Sequence, residues 1–240
     1  MINDHRPMWL KRLHQRFDVW FTDHFLSPQF ESLGSDHFVM KPWNLRVYGR
    51  KISAGKNLHV IADSSRKVSL STWAYDDKQG QIEIGDNVLI CPGTRIDSAS
   101  KVLIKNNCML AAGTYLTDAD WHDIYDRTKP IGTTKPITLE ENVWIGDSSI
   151  VCKGVTIGKN SVVGAGSVVA ADIPSGVIAV GNPAAPIKKL SEEESLITRD
   201  AIFADLDLLN RNNRAIDQVA LQSNSLVGWI RNKCFPHRGD

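Results

Sequence analysis

A parallel β-helix flanked by helical segments at both ends is the fold class this chain predicts, and three observations predict it. Aliphatic residues recur every six positions, at Ile84, Ile90 and Ile96, at Ile104, Leu110 and Leu116, and again at Leu139, Ile145, Val151, Ile157, Val163 and Val169. Four positions after most of them stands a small or β-branched residue, among them Val88, Thr94, Cys108, Thr114, Val143, Ser149, Ser161 and Ser167. The apolar spacings of three and four that mark an amphipathic helix are missing from VTIGKNSVVGAGSVV. A six-residue period arises when short strands joined by tight corners stack coil upon coil around an apolar axis. Each unit forms one flat side with its aliphatic residue inward, and three sides, about eighteen residues, close a coil. Asp86, Asn87, Lys159 and Asn160 turn the corners, and the missing Cβ of Gly85, Gly146, Gly158 and Gly164 is expected to let the chain bend.

Taken in chain order, residues 6–25 place Trp9, Leu13, Phe17, Trp20, Phe21 and Phe25 at intervals of three and four, predicting an amphipathic helix that ends before Pro28. Its favoured role is to cover an end of the coils or a neighbouring subunit, because repeat proteins need caps. Membrane-surface contact through Lys11, Arg12 and Arg16 beside Trp9 and Trp20 is less favoured, since Asp4, Asp18 and Asp23 oppose it. Between 47 and 73 the period is imperfect, with Ile52 and Leu58 six apart and Val68 and Leu70 alternating, so a distorted first coil is expected. The regular run covers 82–186. Beyond it Ser191 and Glu194 form a capping-box pattern, Leu196, Ile197, Ile202, Phe203, Leu206 and Leu209 give a second helical face, and a short helix is expected around 221–230. The division is therefore a helical segment at 1–45, a β-helix domain at 46–186 with a loop at about 118–136, and a helical extension at 187–240.

With 240 residues and no long polar linker, one core is expected. A net charge of +1 leaves no electrostatic footprint for nucleic acid, and no segment reaches the ~20 apolar residues of a membrane span. The first residues lack the pattern of a secretory leader. Cys91, Cys108, Cys152 and Cys234 form no CxxC pair, so reduced thiols in a cytoplasmic protein are expected, with Cys108 a packing residue.

One interruption carries the chemistry. Over 117–136, TDADWHDIYDRTKPIGTTKP, the inward aliphatic ladder stops, so a loop must leave the coil. It holds His122 with Asp118, Asp120 and Asp123 nearby, on a rigid scaffold of the kind that favours function.

The segments IGDNVLI, ENVWIGDSSIVCKGVTIGKNSVVGAGSVV and VIAVGNPAAPIKKL resemble the left-handed parallel β-helix acyltransferases, the hexapeptide group that includes maltose, galactoside, serine and xenobiotic acetyltransferases. The resemblance spans about 82–190. It implies a left-handed coil, a homotrimer with active sites between neighbouring β-helices, acetyl-CoA as co-substrate and a catalytic histidine on the extended loop. That histidine corresponds to His122, as general base, with Asp118 or Asp120 fixing its tautomer. The coenzyme contacts correspond to Asp147, Ala165 and Lys188. Ala171 and Ala185 stand where relatives often carry a basic residue, so the phosphates would rely on Lys188, Lys189 and Lys153. Cys91 stands near an asparagine of sugar-acetylating relatives. Trp121, Tyr125 and Arg127 suit a polyol acceptor, and Trp144 packs outward beside the acyl groove.

The resulting expectation is an acetyl-CoA-dependent O-acetyltransferase acting on a sugar or glycan hydroxyl, such as a cell-surface polysaccharide precursor. The alternatives are N-acetylation of an amino sugar and a non-catalytic scaffold. The gamma-type carbonic anhydrases share the scaffold but hold a metal with three histidines. Here His59 and His122 are the only histidines between Val47 and Pro186, so no metal is expected.

Overall fold

The computed structural model describes residues 4–75, 77–191 and 193–235. Residues 1–3 and 236–240, part of the terminal segments expected above, lie outside the described residues.

The six-residue ladder folds into a three-sided prism. The first face stacks Ser32–Leu33, Ile52–Ala54, Gln81–Ile84, Lys101–Ile104, Ile137–Leu139 and Thr156–Ile157 in parallel. The second stacks Phe38–Met40, His59–Ile61, Leu89–Ile90, Met109–Leu110, Trp144–Ile145, Val162–Val163 and Val177–Gly181, closed by the antiparallel strand Ala184–Lys189. The third stacks Leu45–Tyr48, Val68–Thr72, Arg95–Ser98, Tyr115–Thr117, Ile150–Val151 and Val168–Val169. Coils thus begin at Ser32, upstream of the boundary at 46, and the coil through Ile52 and Leu70 is in register with the next.

Inward columns follow the period. Ile84, Ile104, Leu139 and Ile157 align on the first face, Ile90, Leu110, Ile145 and Val163 on the second, and Ile96, Leu116, Val151 and Val169 on the third. All are buried, and each contributes roughly 1.5–3 kcal/mol by leaving water. Buried Thr94 and Thr114 satisfy their hydroxyls on the corner carbonyls of Cys91 and Ala111, both at 2.8 Å. Cys108 is a packing residue: burial pushes its thiol up to about 12, and its Sγ donates to the Glu140 carbonyl at 3.0 Å.

The corners correct one expectation. Gly85 and Gly146 do not occupy the left-handed region; the corner between the first and second faces is turned by Asn57, Asn87, Asn107, Asn142 and Asn160, with φ of 55–64°. Asparagine tolerates this conformation better than other residues with a Cβ, and its amide bonds the next coil: Asn57 donates to Asn87 at 2.8 Å and Asn87 to Asn107 at 3.1 Å. The glycines serve close stacking instead. A Cβ on Gly85 would lie 2.8 Å from the Asn106 nitrogen, and one on Gly146 2.6 Å from that of Ala165.

The N-terminal helix, α1 (Met8–Phe21), starts two residues later than expected and runs on without a break as a π-helical segment, Thr22–Leu26, and a 3-10 turn, Ser27–Gln29, that step the chain down to the first coil. Leu26 and Phe30 join the core there. At the other end the capping box does not form. The Ser191 hydroxyl accepts from Glu193 N at 3.2 Å, and the chain runs back along the asparagine corner, where Arg199 Nε donates to the Asn87 carbonyl at 2.8 Å and Asp200 N to Asn107 Oδ1 at 3.0 Å. Helices α2 (Asp200–Phe203), α3 (Leu206–Leu221) and α4 (Leu226–Cys234) follow. Asp205 caps α3 by accepting from Leu208 N at 2.8 Å. Lys11 pairs with Asp217 at 2.7 Å, tying α3 to α1. Among the described residues no helix is long and apolar enough to cross a membrane.

Candidate active site

The loop at 118–136 replaces the short corner that elsewhere joins the third face to the first, and its neck is built by backbone pairing. Ala119 bridges Thr134, Asp120 N donates to the Thr133 carbonyl at 2.9 Å, and Lys135 N to that of Asp118 at 2.9 Å. Asp118 is fully buried and points back into the preceding coil. Its Oδ1 accepts from Ala99 N at 2.7 Å, and its Oδ2 from Ser98 Oγ at 2.7 Å and Ser100 N at 2.9 Å. Burial raises its pKa above the ordinary range, opposed by these hydrogen bonds. Asp118 therefore does not orient His122, because both its oxygens are spent on the coil below.

Asp120 also has another partner: its Oδ1 pairs with Lys153 Nζ at 2.5 Å, across to the corner after Ile150–Val151. Lys153 is thereby a tether of the loop rather than a free cation for a phosphate. His122 itself is exposed at the loop's outer turn. Gly132 closes against its backbone: a Cβ there would sit 2.6 Å from the His122 carbonyl oxygen and 2.9 Å from Asp123 Cα. Asp123 Oδ1 accepts from Tyr125 N and Asp126 N, both at 2.9 Å, and these bonds hold its carboxyl below the ordinary range.

A second excursion, not foreseen from the sequence, leaves the same corner two coils earlier. Between the third-face strand Val68–Thr72 and the first-face strand Gln81–Ile84 lies a small hairpin, Ala74–Tyr75 against Lys78–Gln79. Because the intervening coil turns this corner without an insertion, Trp73 at the hairpin base meets Trp121 of the longer loop, ring centroids 6.1 Å apart. Tyr48 extends the row, 5.3 Å from Trp73. Beneath the rings runs a polar chain: Trp73 Nε1 donates to Ser71 Oγ at 3.0 Å, Ser71 Oγ donates to Asp97, and Asp97 also pairs with Arg95. Trp121 Nε1 donates to Thr117 Oγ1 at 3.0 Å. Arg46 lies over Tyr48 and Arg95 over Tyr115, 5.6 and 4.5 Å from the ring centroids. Alternate outward positions on the third-face strands were the available signal for this shelf. Of the loop residues expected there, only Trp121 reaches it; Tyr125 is 97% exposed and Arg127 Nε turns onto the Ile124 carbonyl at 3.1 Å.

The coenzyme positions lie elsewhere. Asp147 and Ala165 occupy consecutive turns of the corner between the second and third faces, and Lys188 is exposed on the closing antiparallel strand opposite Ile178. Asp147 Oδ1 accepts from Ser148 Oγ at 2.5 Å. Arg66 lies over Gly93 and Gly113 in the same corner, so a cation does border it. Trp144 projects outward from the second face, and Cys91 is half-buried there beside Arg199. His122 and the Asp147 column thus stand on opposite edges of the third face. Among the described residues no group of three or more His, Cys, Asp or Glu side chains is placed to hold a metal.

Comparison with known proteins agrees with this architecture. The family model described as bacterial transferase hexapeptide (six repeats) matches residues 136–171. A Saccharomyces cerevisiae protein provisionally named an acetyltransferase is 39% identical over 125 residues, 52% of this chain, and the chain spans only 64% of that relative's length. The galactoside O-acetyltransferase of Escherichia coli is 30% identical over 171 residues, covering 70% of this chain and 68% of that enzyme. A mutant of AntD, an N-acyltransferase from Bacillus cereus, superposes with a TM-score of 0.55 over 79% of this chain and 95% of the other at 21% identity, a likeness of fold. By its hexapeptide coils and these relatives, the chain belongs to the hexapeptide-repeat acetyltransferase family, with that family's left-handed parallel β-helix.

Proposed function

We propose that this protein transfers the acetyl group of acetyl-CoA to a hydroxyl of a sugar or glycan, with His122 as general base. The observation that carries the reading is the convergence of two excursions at one corner, where the His122 loop is tethered beside a shelf of tryptophan, tyrosine and hydrogen-bonding side chains. Aromatic faces stack on the apolar faces of sugar rings, and the buried Ser71–Asp97 chain beneath holds Trp73 in place for that contact. A neutral imidazole takes the acceptor proton as the oxygen attacks the thioester carbonyl, and returns it to the departing CoA sulfur.

Since the root of the base's loop and the coenzyme column occupy opposite edges of one face, the reading requires a groove between copies. His122 of one subunit would act on coenzyme held along Asp147, Ala165 and Lys188 of the next, which a closed homotrimer supplies. Asp120 and Lys153 would position the loop, and Tyr125 and Arg127 would face the groove from its outer turn.

Thiol release from acetyl-CoA, followed across a panel of galactosides, glucosides and amino sugars, tests the reading. Release with hydroxyl acceptors and an ester mass shift is expected. Transfer confined to amino sugars would assign N-acetylation instead, and no release with any acceptor would leave a scaffold.

Gly132 offers a separate handle. With its Cβ space filled by the His122 and Asp123 backbone, Gly132→Ala should displace the base by a fraction of an ångström and lower kcat roughly 10- to 100-fold. The coils should melt as in the wild type, and steady-state rates beside a thermal scan check both.

A further inference from the structure

The helical layer formed by α1 and α3 has a face whose chemistry the acyl-transfer site does not use. Trp9, Leu13, Phe17 and Trp20 form one stripe along α1, and all four are exposed, at 46–56%. The stripe runs on into Phe25 and Trp43, both exposed, through ring contacts of 5.5 Å from Trp20 and 6.1 Å from Phe17. Of the whole helix only Leu10 is buried.

Flanking the stripe are guanidinium groups. Arg12 and Arg16 of α1 and Arg214 of α3 line one groove of about 510 Å³. Its one acid, Asp217, is already bound to Lys11 at 2.7 Å. Among the described residues the three arginines have no carboxylate partner. A second groove of about 730 Å³ shares Arg12 and Arg16 but is walled by Trp9, Leu13, Leu221 and Leu226. Unpaired cations therefore adjoin apolar surface along one helix.

We propose that this α1–α3 face docks on an anionic phospholipid surface, with the three arginines on lipid phosphates and the Trp9–Trp20 stripe in the headgroup region. Charge complementarity chooses this occupant. A second copy covering the same face would bury three guanidinium groups and would have to bring carboxylates to them, whereas phosphates meet them at the interface that tryptophan favours. The earlier objection falls away on geometry. Asp4 pairs with Arg6, Asp23 with His37, and half-buried Asp18 accepts from the Lys41 backbone, and none of the three lines the arginine groove.

Flotation of the full chain with vesicles tests this, comparing phosphatidylcholine alone with a 3:1 mixture of phosphatidylcholine and phosphatidylglycerol. Binding to the anionic vesicles only is expected, weakening with salt. Arg12→Gln, Arg16→Gln and Arg214→Gln should each cost about fivefold in partitioning and together about a hundredfold. Trp9→Ser with Trp20→Ser should abolish binding, while a Lys51→Gln, Lys67→Gln, Lys159→Gln triple variant on the coils should bind nearly as the wild type. The inference is overturned by equal flotation with neutral vesicles, by binding indifferent to the arginine triple, or by loss of all vesicle binding to millimolar inorganic phosphate. It is also overturned if Trp9→Ser with Trp20→Ser lowers the oligomeric mass in light scattering while the wild type binds no vesicle, for then a second copy covers the face.

Discussion

Replacing His122 by alanine is expected to lower turnover about 10²- to 10⁴-fold, the range that a positioned general base contributes. Coenzyme affinity should change less than about twofold, because in the proposed groove the coenzyme is held by Asp147, Ala165 and Lys188 of the neighbouring subunit, while the imidazole serves the acceptor proton. Calorimetric titration with CoA and initial rates of thiol release give the two numbers independently. Turnover within threefold of the wild type would remove His122 from the chemistry. Loss of both rate and CoA affinity would instead mean that the loop buttresses the coenzyme groove.

Asp118→Ala is expected to act through the scaffold. Two backbone N–H groups, of Ala99 and Ser100, and the Ser98 hydroxyl lose their acceptor inside the protein. At about 1–3 kcal/mol for each buried group left unpaired, and with the hydroxyl free to rotate, a loss of about 3 kcal/mol follows. For a chain of this size that lowers Tm by roughly 6–12 °C. Asp118→Asn should fall between, because its oxygen can still serve Ala99 N while its NH2 opposes Ser100 N–H. The pH dependence has a definite sign. Burial raises the folded carboxyl's pKa above its usual 3.8, so the native chain binds the proton at higher pH than the unfolded one. This group's contribution is most favourable below that value and is lost as pH rises through the folded pKa. The stability gap between wild type and Asp118→Asn should therefore shift across that window, with the wild type losing ground as pH rises, and denaturant titrations on either side measure it. A gap that widens with pH in the wild type's favour would show that the three hydrogen bonds outweigh burial.

Both variants bear on how much the sequence could disclose. Period-six spacing made the inward columns visible, since every coil repeats the same burial and a ladder such as Ile96, Leu116, Val151 has one physical explanation. The loop was visible for the complementary reason that the count fails after Leu116. Its internal geometry was not. Asp118 sits four residues from His122 and read as its partner, yet the coil below offers three donors to the same carboxylate. Trp73 and Trp121 are 48 positions apart and meet only because the coil between them turns its corner without an insertion. Ser191 and Glu194 carried a sound local cap signal, but helix begins only at Asp200, where Arg199 and Asp200 hydrogen-bond Asn87 and Asn107 of the coils.

The sequence by itself determined the repeating coil, its apolar axis and the place where it opens, because periodic burial is a property of spacing alone. Only the tertiary structure decided which polar groups face one another across coils. The bend came from asparagine rather than from the neighbouring glycine, Asp118 bonded the coil below and Asp120 Oδ1 bonded Lys153, and a second excursion completed the aromatic shelf. Each depends on the register of strands distant in sequence, where a donor takes the nearest acceptor in space and not the nearest along the chain.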